Sequence, residues 1–149
     1  MKTIVNRLPL AARLVLGLIF FVFGLNGFLH FLPQPHMTGP AGAFLGGLAA
    51  SGYLLSLLSG TQVLCGALLL SGFFVPLALT LLAPVIVNIV AFHLFLAPGN
   101  YIIVGLVLIS EFFLTWSYRA AFASMLQART SPQIPQANPT LRGLRPAHA

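Results

Sequence analysis

One acidic side chain and one cysteine are all of either kind in these 149 residues, and only 5% of the chain is charged. A soluble domain carries roughly 25% charged residues. No solvated surface can be assembled from this chain, which excludes an ordinary soluble fold. The lone Cys65 excludes an internal disulfide and a cysteine-based metal site. With Glu111 the single acid, the net charge is +6, which at first suggests a nucleic-acid partner. Such a partner needs basic residues gathered on one folded face. Here Lys2, Arg7 and Arg13 lie at one end of the chain, and Arg119, Arg129, Arg142 and Arg145 at the other. That is topological charge, and no nucleic-acid partner is expected.

What is abundant is apolar: 58% of the residues are hydrophobic. Crossing about 30 Å of hydrocarbon takes roughly 20 apolar residues in a helix. Four segments answer to this, at about 8–32, 53–70, 73–96 and 101–118. Pro9 falls near the first start, where a missing N–H does no harm. Breaks come at Pro33-Gln34-Pro35, at Ser71-Gly72 and at Ala97-Pro98-Gly99-Asn100. The first segment begins basic, as a signal peptide does. Its apolar run is too long and lacks a small-x-small cleavage site, so a retained helix is expected.

An even number of spans puts both chain ends on one side. Both ends are basic, and the two opposite loops contain no Lys, Arg, Asp or Glu. The positive-inside rule then places both termini in the cytoplasm. Between the first two spans, "TGPAGAFLGGLAASG" is too short to cross and reads as an interfacial or re-entrant helix over about 40–50. The expected fold class is an all-α membrane protein: a four-transmembrane-helix bundle occupying 1–120. Residues 121–149 form a basic, Pro-rich tail, expected to be disordered in the cytoplasm and to lean on anionic lipid.

Few polar side chains interrupt the spans: Asn26 and His30, Gln62, Asn88 and His93, Glu111 and Thr115. With a rise of about 1.5 Å per residue, both Asn/His pairs fall toward the outer ends of spans one and three. Gln62 and Glu111 fall near the midplane. Asn26 and His30 at i, i+4 share a helix face. Asn88 and His93 at i, i+5 align less well, although Pro84 is expected to kink that span. "NGFLHFLP" and "NIVAFHLFLAP" echo one another, as parallel repeats or by chance. The amides and Thr115 serve either as interhelical hydrogen-bond glue or as ligand contacts. The histidines either reach headgroups or bind a ligand. A lone carboxyl in a span is a functional hypothesis by default. No cation shares its depth, which favours the neutral acid. Gly17, Gly24, Gly27, Gly60 and Gly66 suit close helix packing.

The stretches "ARLVLGLIFFVFGLNGFLHFLP" and "GTQVLCGALLLSGFFVPLALTLLAPVIVNIVAFHLFLAP", with Glu111 ahead of "WSYR", resemble the DoxX family of small bacterial membrane proteins. The resemblance runs from Ala12 to Tyr118. It implies a multi-pass four-helix bundle in the cytoplasmic (inner) membrane. It also implies kinship with the DoxD-type subunit of thiosulfate:quinone oxidoreductase and with membrane complexes handling sulfur or oxidative stress. Two positions depart from the family pattern. Phe73 stands where a basic residue is usual, and Gln62 where a glutamate is usual, which removes one midplane carboxyl.

Two classes of function follow. In the first, the chain is a quinone-linked redox subunit. An apolar slot holds the quinone, His30 and His93 contact its carbonyl oxygens, Asn26 and Asn88 position the ring, Gln62 is a further ligand-binding residue, and Glu111 passes protons. A partner oxidoreductase supplies the electrons. A haem between His30 and His93 is disfavoured, because no basic residue at that depth awaits the propionates. In the second, the chain is a non-enzymatic ligand- or lipid-binding module or an assembly subunit, perforce embedded in the lipid bilayer. Four helices leave little room for transport unless the chain forms a homo-oligomer.

Overall fold

The computed structural model describes residues 7–33, 36–99 and 101–123; most of the expected tail, from 124 onward, lies outside the described residues. Six helices follow in order: α1 Leu8–Leu29, α2 Gly39–Ala50, α3 Leu54–Ser71, α4 Val75–Phe95, α5 Tyr101–Ser117 and the single turn α6 Arg119–Phe122. No strand occurs among the described residues.

The boundaries have local causes. Pro9 and Pro76 sit in the first turns of α1 and α4, where the N–H they lack has no helical acceptor. Helix α3 stops because Gly72 enters the left-handed region at φ 82° and donates its N–H to Leu68 O at 2.9 Å. Between α2 and α3, the Ser51 hydroxyl donates to Leu48 O (2.6 Å) and accepts from Leu54 N–H (3.0 Å), so one side chain serves both helix ends.

Helices α1, α3 and α4 are long and apolar enough to cross a membrane; α5, also apolar, is shorter at 17 residues. α1 and α3 run antiparallel and meet backbone to backbone. A Cβ built on Gly66 would lie 2.6 Å from Phe21 N, and one on Gly24 would lie 2.7 Å from Val63 N. Glycine is required at those positions for want of space. α4 folds back on α3 through the 71–74 turn, and α5 closes the bundle against α1 and α4.

The core is unevenly distributed along the bundle axis. Leu16, Phe20, Cys65, Leu69, Ala78, Leu79, Leu82, Ile86 and Leu114 are all buried, and they crowd toward the end that holds the 71–74 turn. Past Ile86, α4 buries no side chain fully. The end covered by α2 is accordingly hollow. At the packed end, the Arg13 guanidinium rests against Gly72 at the C-terminus of α3. A cation there offsets the partial negative charge of the helix end, in a turn that has no charge of its own.

Candidate cavity at the hollow end

Two cavities occupy the hollow end. The larger, about 420 Å³, lies among α1, α3, α4 and α5 with Leu45 of α2 over it. Its walls are apolar (Phe20, Phe23, Ile89, Val104 and Val107 among them) except for Asn26, Gln62 and His93. Those three come from three different helices. The smaller, about 290 Å³, lies along the seam of α3 and α4 beneath Phe44 and Leu48 of α2. Gln62 and Ile89 line both.

Each polar group in the larger cavity has a determined role. Asn26 is buried at 5% exposure, and its Oδ1 accepts Leu32 N–H at 2.6 Å. With the oxygen engaged, the Asn26 amide nitrogen is the atom left to bond elsewhere. Gln62 makes no hydrogen bond among the described residues, so both its donor and its acceptor are free. His93 Nδ1 lies 2.8 Å from Ile89 O. A carbonyl oxygen only accepts, so Nδ1 carries the hydrogen. In the neutral ring Nε2 is then a lone-pair acceptor. The cavity therefore offers amide N–H donors from Asn26 and Gln62, and acceptors at His93 Nε2 and the Gln62 oxygen. In this tautomer a neutral His93 presents an acceptor, suited to a hydroxyl.

The other candidate residues lie elsewhere. His30 shares no cavity with Asn26, although the two sit at i, i+4. Helix α1 ends at Leu29, and His30 turns into the left-handed region at φ 50°, ψ 37°, donating its N–H to Asn26 O. That turn swings its ring away from the helical face, onto an exposed position with Nδ1 3.2 Å from Phe28 O. A left-handed residue with a Cβ carries strain of about 1 kcal/mol. His30→Gly is therefore expected to raise thermal stability by about 0.5–1 kcal/mol and to leave cavity binding unchanged. A melting temperature that falls in this variant would show that the imidazole itself holds the turn.

Asn88 is exposed and lines the smaller cavity alone. Thr115 is exposed on α5. Glu111 lines neither cavity. It sits on the same buried stripe of α5 as Val104 and Val107, one turn below the cavity floor, at 8% exposure. Its Oε2 is buried with no hydrogen-bond partner. It makes no hydrogen bond to Gln62 or Asn88. The individual residues of the apolar wall, and those of α2 that cover it, were not singled out in the sequence. Their signal was faint: Phe44 and Leu45 are the bulky pair in a helix otherwise mostly Gly and Ala, and Phe44 meets Phe92 at 5.7 Å between ring centroids.

Comparison of the chain with family models, with curated proteins and with solved structures finds no match.

Proposed function

We propose that this protein is a four-span membrane subunit of DoxX type, both termini cytoplasmic, that binds a quinone-like molecule in the larger cavity. At 17 residues α5 is about 25 Å long, within the lower range for a span. The charge asymmetry of the chain supports the orientation. The observation that carries the binding role is the donor–acceptor set of Asn26, Gln62 and His93 in an otherwise apolar chamber. Ligand sites are mostly apolar with a few placed polar groups. A carbonyl oxygen accepts from the amides, and a hydroxyl donates to His93 Nε2. A quinone engages the amide donors through its carbonyl oxygens, and its hydroquinone form also satisfies the His93 Nε2 acceptor. Cys65 is the single thiol, and no cluster of metal-ligating side chains occurs among the described residues. In this reading a partner oxidoreductase supplies the electrons.

A second reading, a binding module without proton transfer, is favoured by one observation. Glu111 stands below the cavity floor and not on its wall.

Extraction of the detergent-purified protein followed by mass spectrometry tests the proposal. Bound quinone is expected at near-stoichiometric yield in the wild type. Asn26→Leu, Gln62→Leu and His93→Leu are each expected to lower it tenfold or more while the helical content persists. Wild-type protein without quinone, or variants that retain it, would overturn the reading. Unchanged hydroquinone turnover in Glu111→Gln, assayed with the partner, would select the binding module.

A further inference from the structure

The smaller cavity is not used by the head-binding role, and Gln62, which serves that role, also lines the smaller cavity. The two cavities share two wall residues, Gln62 of α3 and Ile89 of α4. A group entering one is thus in contact with the walls of the other. The smaller cavity is apolar along Leu54, Leu58 and Val85, and its polar lining is two amides, Gln62 and Asn88. Pro84 and Asn88, at its edge, are exposed, so it opens on the outside of the bundle, where a membrane protein meets acyl chains. The α1–α5 side of the larger cavity, where Phe23 and Ile103 are exposed, is the competing exit. The α1–α3 seam is shut by backbone contact at Gly24 and Gly66, and the opposite end of the bundle is solid.

We infer that the two cavities are one site with two chambers: the larger holds a hydrogen-bonding head, and the α3–α4 groove holds the aliphatic chain attached to it. The occupant is a single-chain amphiphile whose tail passes between Gln62 and Ile89 and leaves into the lipid. This rests on the reading of the larger cavity as a head site. The Gln62 amide is suited to the waist. It has no partner to give up among the described residues, so it bonds the head while its methylenes flank the chain. Each methylene transferred from water to the groove adds apolar burial, so affinity should depend on the presence of the chain and on room in the groove.

The test uses 2,3-dimethoxy-5-methyl-benzoquinone, without a tail, and its decyl derivative. Affinities of the purified full chain are compared with those of variants in the same detergent, so that partitioning of the probe cancels. Leu58→Trp fills the groove and leaves the head chamber intact; Val85→Phe does the same from α4, should the first variant fold poorly. The decyl compound is expected to lose tenfold or more in affinity, and the tailless compound less than twofold. Equal losses for both probes, or none for either, would overturn the chain assignment. So would loss of the decyl compound on Ile103→Trp alone, which would put the exit between α1 and α5. If neither probe binds the wild type, the head site itself falls and this inference with it. If the tailless probe binds and the decyl advantage survives filling, only the second chamber is refuted.

Discussion

Glu111→Leu is expected to stabilise the protein by about 1–3 kcal/mol, the cost of burying a polar group that makes no hydrogen bond. Glu111 lies at 8% exposure among the side chains that hold the packed end together, and its Oε2 has no partner. Leucine has similar volume and nothing to desolvate, so the site keeps its packing and loses the penalty. Glu111→Gln should gain less, because an amide placed there is still short of partners. Thermal unfolding in detergent, read by circular dichroism, makes the measurement. Destabilisation by Glu111→Leu would mean that the carboxyl holds the fold. A structural hydrogen-bonded acid and a functional one thus predict opposite signs. An unpartnered polar group kept in a core, at a cost in stability, is characteristic of residues retained for function. The same variant should impair whatever proton-linked step the protein performs, so stability and activity are expected to move in opposite directions.

Gly66→Val should do the reverse and unmake the bundle. The first added carbon would meet Phe21 N at 2.6 Å, Phe21 Cα at 2.8 Å and Gly17 O at 2.9 Å, all of them backbone atoms. Backbone does not move aside as a side-chain tip does, so α1 and α3 must separate. We expect a loss of about 3 kcal/mol or more, at the upper end of the range for overpacking, seen as loss of the monodisperse folded species on size-exclusion chromatography. Gly17→Ala should be milder, since its nearest contacts stand at 3.0–3.1 Å and include side chains of Leu69 and Leu70. Gly105→Ala is the internal control. Nothing lies within 4 Å of its Cβ position, so the gain in helix propensity should stabilise by about 0.5–1 kcal/mol. Equal effects at Gly66 and Gly105 would refute the backbone contact between α1 and α3.

Much of the architecture was legible in residue order. The near absence of charge required an apolar environment, and proline and glycine marked where α1, α3 and α4 stop, to within a few residues. The α2 helix between the first two long ones was readable from its length and small residues. Depth was legible too. A fixed rise per residue puts Asn26, Gln62 and His93 at heights from which they can share one space.

Direction around each helix was not legible. In a soluble protein, water sorts polar from apolar faces and leaves a stripe that shows which side packs inward. Here both faces of every long helix are apolar, because lipid and core make the same demand, and the stripe is missing. Tertiary packing alone decides that Asn88 faces the α3–α4 seam and that Glu111 lies under the cavity floor. It also lets a left-handed turn at His30 take the imidazole off the face it was expected to share with Asn26. The sequence by itself determined the helices, their apolar surroundings and the height of each polar group. Which of those groups meet was decided by packing: α1 and α3 touch along their length, whereas α4 buries no side chain past Ile86, which leaves that end hollow.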